Sequence, residues 1–468
     1  MRYVSTRGEA PALGFCDVLL AGLARDGGLY VPAHWPKLDA TTIAGFAGRP
    51  YVDVAFTVLQ PFVDGEIADA DLKRMIGEAY GTFRHPAVTP LVQIAPDHFV
   101  LELFHGPTLA FKDVAMQLLA RMMDHVLASR GEKATIVGAT SGDTGGAAIE
   151  AFRGRQATDI FIMYPHGRVS PVQRRQMTTV AADNVHTIAL EGTFDDAQAI
   201  VKGMFNHFAF RDAMRLSGVN SINWARIVAQ VVYYFVAGVA LGAPYRPVSF
   251  TVPTGNFGDI FAGFVAAQMG LPIERLVVAT NVNDILHRAL LSGTYEVTGV
   301  TASSSPSMDI QVSSNFERLL FEVHGRDGAA VRRMMQSLGQ SRSFEIAVEP
   351  LARIRERFGS GRTDQQATAT TIRSTLEETG YLLDPHTAVG VAAAGAHIRA
   401  GVPMITLATA HPAKFPAAVQ AATGVHPDLP AWLGDLMQRP EHFTVLADDQ
   451  KVIETFVAER TRAARVGG

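Results

Sequence analysis

The spacing of apolar positions changes character once along this chain, near Leu101. Up to about residue 95, Phe15 to Leu23 and Ile67 to Tyr80 carry apolar residues at three- and four-residue intervals, which predicts amphipathic helices. Asp69 and Asp71 stand near the positive end of the second. Asp26-Gly27-Gly28 supplies a turn ahead of Leu29-Tyr30-Val31-Pro32. From Leu101 onward, short apolar runs bounded by turn residues alternate with helical patterns. That alternation predicts an α/β fold, with parallel-rich sheets covered by helices on both faces.

Two strand-loop-helix units stand out. The first runs from Ala134 to Gly138, through Ala139-Thr140-Ser141-Gly142-Asp143-Thr144-Gly145-Gly146, into a helix ending at Phe152. The second runs from Val248 to Val252, through Pro253-Thr254-Gly255-Asn256-Phe257-Gly258, into a helix from Asp259 to about Met269. In each, small residues let backbone amides close on a ligand at a helix start, a candidate anion site, although such a turn also serves as a plain tight connection. Neither is a Walker loop or a GxGxxG turn.

Asn220-Ser221-Ile222-Asn223-Trp224-Ala225-Arg226 leads into a helix from Ile227 to Val239, and reads either as another anion site or as a polar cap on a buried helix. Met308 to Glu317 is a polar loop entering a helix, and its chemistry does not declare its role. Residues 325–358 are mainly helical and rich in arginine, as in a solvated outer layer. Leu382 to Gly390 precedes a small-residue helix. Met404 to Leu407 is a buried strand, with Thr409 just past its end as either a cap or a ligand contact. His386 and His411 lack the HExxH or Cys/His company of a metal site. Arg460 to Gly468 reads as a frayed tail.

One lysine changes the picture. Lys112 lies in Phe104-His105-Gly106-Pro107-Thr108-Leu109-Ala110-Phe111-Lys112-Asp113, with apolar neighbours on both sides, on a helix expected to begin near Pro107. A buried ammonium costs several kcal/mol unless it is paired or neutral, and a desolvated amine is the kind that forms a Schiff base. The alternative is an ordinary solvated lysine.

The 468 residues exceed one average core and suggest two or three domains. A net charge of -4 without a long basic run gives no footing for nucleic acid. The longest apolar stretch, Val228 to Leu241, contains Gln230 and two tyrosines and falls short of the ~18 residues that a membrane span needs. The one cysteine, Cys16, excludes an internal disulfide, and no signal peptide is evident, so the expectation is a cytoplasmic protein.

Taken together and in order, nine blocks resemble the threonine synthase family in its proteobacterial and yeast form. They are YVSTRG at Tyr3, DGGLYVP at Asp26, FHGPTLAFKD at Phe104, ATSGDTG at Ala139, NSINWAR at Asn220, PTGNFGD at Pro253, SSNFERLL at Ser313, LDPHTAVG at Leu383 and TAHPAKFP at Thr409. The resemblance implies a fold type II enzyme dependent on pyridoxal 5'-phosphate (PLP). Its expected layout is an N-terminal helical segment (1–97), a smaller α/β domain with the lysine and the SGDTG loop (98–215), and a larger α/β domain with the cofactor-phosphate loop (216–468). The cofactor would lie in the cleft between the α/β domains.

The resemblance also implies residue roles. Lys112 carries the cofactor as a Schiff base. Gly255, Asn256, Phe257 and Gly258 hold its phosphate, and Thr409 holds its pyridine nitrogen. Thr140, Ser141, Asp143 and Thr144 hold the substrate carboxylate, and Ser221, Asn223 and Arg226 the substrate phosphate. The implied reaction turns O-phospho-L-homoserine and water into L-threonine and phosphate by γ-elimination and β-addition, in a monomer or homodimer without a metal. A serine/threonine dehydratase or cysteine synthase, which would share the lysine and phosphate loop, and a non-catalytic relative are the alternatives.

Overall fold

The structure is a computed structural model that describes residues 1–464. The predicted opening helices form as Phe15–Ala21 and Asp69–Tyr80, with a further helix, Tyr51–Val63, between them. Gly22, at φ +64°, ends the first. Tyr30–Pro32 pairs antiparallel with Tyr3–Ser5, so the N-terminal region is helical around a small two-stranded ribbon.

Two sheets form the body. The larger has six strands, in the order Phe358–Arg362, Ile273–Thr280, Val248–Pro253, Met404–Ala408, His98–Glu102 and Leu91–Ala95. All its pairs are parallel except the last. The smaller has five parallel strands, in the order Thr444–Ala447, Val185–Glu191, Thr158–Pro165, Ala134–Ala139 and Leu216–Ser217. The long buried helix Trp224–Ala240 packs against Tyr51–Val63, the lysine-bearing helix Lys112–Ser129 and Gly258–Met269. It thus joins the N-terminal region to the lysine helix and the phosphate-loop helix. Among the described residues no helix is long and apolar enough to cross a membrane.

Strand pairing crosses both expected chain divisions. A boundary at 97 cuts a hairpin, because Leu91–Ala95 and His98–Glu102 share a ladder. His98–Glu102 belongs to the larger sheet through Met404–Ala408, some three hundred residues on. At the other end, Thr444–Ala447 returns to the smaller sheet beside Val185–Glu191, and Gln450–Ala458 seals its core with Ile453, Phe456 and Val457. Partners so far apart in sequence leave no local signal.

Two further differences are local. The lysine helix starts at Lys112, not near Pro107, because Leu109 adopts φ +60° and Ala110 bridges to Ala410. The Asp113 carboxylate then takes the Thr108 N–H and hydroxyl, both at 2.7 Å. The expected frayed tail is anchored at its start: Arg462 donates to Asp159 through its backbone N–H at 2.6 Å and its Nε at 2.7 Å, and Ala463 is buried. Residues 465–468 lie outside the described residues.

Candidate active site

Lys112 opens its helix with its side chain buried, Nζ 4.8 Å from the centre of the Phe111 ring and 3.6 Å from Asp143 Oδ2. Burial lowers its pKa from the ordinary lysine range, nearby Lys414 and Arg226 add to the effect, and Asp143 offsets it only in part. The solvated-surface alternative for this residue is excluded. Asp143, the first residue of the helix Asp143–Phe152, accepts from Lys414 Nζ at 2.8 Å, Gln173 Nε2 at 2.9 Å and Ser307 Oγ at 3.2 Å. Burial opposes its ionisation, but Lys414 and Lys112 hold the carboxyl well below the usual carboxylate range. Lys414 is itself fully buried, with Nζ also 2.7 Å from Thr108 O.

The Gly255 turn follows the Val248–Pro253 strand and opens the helix Gly258–Met269, which has no side-chain cap. A Cβ on Gly255 would lie 2.8 Å from Ser307 O, so the turn passes that segment as bare backbone. Phe257 sits at φ +62°, a strained conformation for a bulky residue. Thr409 is buried at the C-terminal end of Met404–Ala408, and its carbonyl accepts the Phe111 N–H at 2.9 Å, which fixes it one residue from Lys112. Ser307 touches both Asp143 and the Gly255 turn, and so brings the lysine and the turn to one cleft. An amine biased to its neutral form, an uncapped helix start behind a glycine cradle, and a buried hydroxyl at a strand end match the aldehyde, phosphate and ring nitrogen of PLP in chemistry. The residues present fit the cofactor.

Among residues expected to hold the substrate carboxylate, Ser141 is exposed and Thr144 half-buried at the start of the 143–152 helix. The Thr140 hydroxyl is occupied, accepting the Gly142 and Gly145 N–H groups at 2.9 Å each. The Asp143 carboxylate is engaged by two lysines, which leaves its backbone N–H to meet a substrate carboxylate. A role for this loop therefore falls to its backbone amides. Asn223 is drawn into the fold. It is the N-cap of Trp224–Ala240, with Oδ1 accepting from Ala225 N at 3.0 Å and Nδ2 donating to Leu19 O at 2.9 Å, and it is fully buried. Each end of its amide makes one hydrogen bond within the fold. Arg226 keeps its candidacy. It is buried, Nη1 reaches Val219 O at 3.0 Å and Nε has no partner among the described residues. Burial takes its pKa down to about 10, so at neutral pH it remains a charge in want of an anion. Ser221 is half-buried on the same turn.

Sequence reasoning missed Lys414, Gln173, Ser307 and the role of His386. His386 Nδ1 lies 2.8 Å from Asp384 Oδ2, and its Nε2 accepts the Ser307 N–H at 3.2 Å, so the proton sits on Nδ1. Asp384 caps the helix Pro385–Ala394. The Asp-Pro pair was a readable cap signal, but nothing local announces that Ser307 crosses to His386.

Comparison with known proteins spans nearly the whole chain. Residues 2–80 match the family model described as threonine synthase N terminus, 83–407 that of pyridoxal-phosphate dependent enzymes, and 387–457 that of the threonine synthase C-terminal region. A threonine synthase of Pseudomonas aeruginosa is 56% identical over 461 residues, covering 98% of each chain. A solved PLP-bound threonine synthase of Brucella melitensis superposes with a TM-score of 0.98 at 66% identity, over 99% of this chain and 100% of that one. The solved threonine synthase from yeast gives 0.93 at 40% identity, over 98% of both chains.

Proposed function

Since the chain belongs to the threonine synthase family and has threonine synthase function with PLP as cofactor, we propose that it converts O-phospho-L-homoserine and water into L-threonine and phosphate, with its residues in the following roles. Lys112 Nζ bonds the cofactor aldehyde. The Gly255–Gly258 amides hold the cofactor phosphate, and Thr409 meets the ring nitrogen. The substrate carboxylate docks on the amides that open the 143–152 helix, and Arg226 with Ser221 receives the substrate phosphate.

When bound, the cofactor supplies an electron sink for charge developing at the substrate Cα. Lys112 Nζ, freed by the incoming substrate amine, handles one proton at a time: it takes the proton from Cα, gives it up, and only then takes one from Cβ. Asp143 at 3.6 Å steadies the ammonium so formed. Kept charged by Lys414, Asp143 takes no proton itself. Arg226 balances the charge of the phosphate as it leaves. Water then adds its hydroxyl at Cβ, its other proton goes to the released phosphate, and the two protons taken from the carbon chain are returned at Cγ and Cα.

The observation that carries this reading is the presence of a buried amine, Lys112, together with a buried guanidinium, Arg226, that has no carboxylate partner among the described residues. A reading as a serine/threonine dehydratase has no use for that second charge. A monomer or a homodimer is the proposed assembly. The buried free thiol of Cys16 fits a cytoplasmic setting.

Borohydride reduction is expected to fix the cofactor on Lys112. Lys112→Ala is expected to release no phosphate from O-phospho-L-homoserine, and turnover by that variant would overturn the assignment. Arg226→Met is expected to raise KM by about tenfold or more, the loss of a charge-assisted contact.

A further inference from the structure

The segment Ser313 to Arg318, whose role the sequence leaves open, sits against the back of both anion-binding turns. Ser313 Oγ donates to Gly255 O at 2.7 Å. Asn315 donates twice to Asn256 O, from its backbone N–H at 3.1 Å and from Nδ2 at 2.9 Å. The same Nδ2 lies 3.2 Å from Ser221 O, on the turn that carries Arg226. Asn315 is fully buried, and its Oδ1 receives Nη1 of the fully buried Arg318. Arg318 in turn donates to Tyr30 O at 3.0 Å and to Ile222 O at 2.6 Å.

A trans peptide points its N–H opposite to its C=O. With the Gly255 and Asn256 carbonyls held toward Ser313 and Asn315, the N–H groups of Asn256 and Phe257 are turned the other way. The positive φ of Phe257 is also explained, since a strained backbone persists only where its surroundings over-determine it. Gly258 belongs to the same contact, because a Cβ there would come within 3.2 Å of Asn315 Nδ2.

We propose that Ser313 and Asn315 are positioning residues for anion binding: both aim the amides of the Gly255 turn at the cofactor phosphate, and Asn315 alone also holds the Ser221 turn, so that it serves the substrate phosphate as well. This rests on the reading that the Gly255–Gly258 turn holds the cofactor phosphate. The coupling is one of shared hydrogen bonds. Nδ2 divides its two protons between the turns, and Arg318 locks the amide so that it cannot rotate away from either.

The test compares PLP with pyridoxal, which lacks the phosphate, in reconstituting the apoenzyme, so that the ratio of their dissociation constants isolates the phosphate contribution. Ser313→Ala is expected to lower the preference for PLP by about tenfold, as for loss of one hydrogen bond to the turn, and to leave KM for O-phospho-L-homoserine unchanged at saturating PLP. Asn315→Asp keeps the acceptor for Arg318 and removes the Nδ2 donors; it is expected to lower the preference at least as far and also to raise that KM. Gly255→Ala is the control for the loop itself. If it lowers the ratio while the other two variants leave it unchanged, the positioning role is overturned. If it leaves the ratio unchanged, the cofactor phosphate lies elsewhere, and loop assignment and proposal fall together. Equal losses for PLP and pyridoxal in Ser313→Ala and Asn315→Asp would mark general damage and also overturn the proposal, as would an unchanged KM in Asn315→Asp for the substrate side.

Discussion

At the scale of single residues the site is a problem of buried charge. Asp143 lies between two amines, all three side chains are buried, and each would be costly alone. Removing one partner leaves the other uncompensated. Asp143→Asn is therefore expected to cost about 3–5 kcal/mol by stranding the ammonium of Lys414. Adding Lys414→Met to that variant should recover most of the lost stability without recovering phosphate release. Urea denaturation of the single and double variants checks the first part, and an activity assay the second; equal stability of wild type and Asp143→Asn would contradict the pairing. Lys112 was legible as a candidate because the other motif blocks stood beside its apolar run, which alone would also suit an ordinary lysine. Lys414 was not, since the sequence around it says nothing of the carboxylate that meets it from 271 residues earlier.

At the scale of elements, function gathers where strands end and helices begin. Thr409 ends one strand, the Gly255 turn follows another, and both lie on the larger sheet. These turns were readable because small residues after an apolar run are a local signal. Which strands lie side by side was not. One such contact has a measurable consequence. His98 Nε2 is 2.7 Å from Thr406 Oγ1, across the parallel pair that joins the two halves of the chain. Burial pushes its pKa down to about 4 from 6.5. Above pH 6.5 the ring is neutral in both folded and unfolded chains, and its contribution is fully present. As pH falls from 6.5 to 4 the unfolded chain takes up a proton that the folded one refuses, so stability is lost, by up to about 3 kcal/mol. His98→Gln is expected to flatten that part of the stability profile, measured as urea midpoint against pH. An unchanged slope would show that other groups set the acid sensitivity.

At the scale of the whole molecule, the C-terminal segment ties the larger region back to the smaller sheet. Thr444–Ala447 pairs with Val185–Glu191, and Ile453, Phe456 and Val457 pack on Phe161 and Ile188. A chain ending at Phe443 would bare that core. The expected loss is on the order of 5 kcal/mol, from three large side chains at about 1.5–3 kcal/mol each. Denaturation monitored within the smaller sheet should show it; a truncated chain as stable as the whole would mean that the segment only lies alongside.

The alternation of apolar runs, the turns between them and the ordered motif blocks are properties of neighbours in the chain; the first two determined the α/β class, and the blocks carried the family resemblance and, through it, the expected role of Lys112. Steric and solvation preferences act over a few residues, so the sequence alone carries them. The tertiary structure decided which charges meet, which strands share a ladder, and that Asn223 and Asp143 are occupied by the fold's own partners. Those outcomes depend on contacts between residues far apart in sequence, where the low dielectric of the interior sets the energies and no local pattern records them.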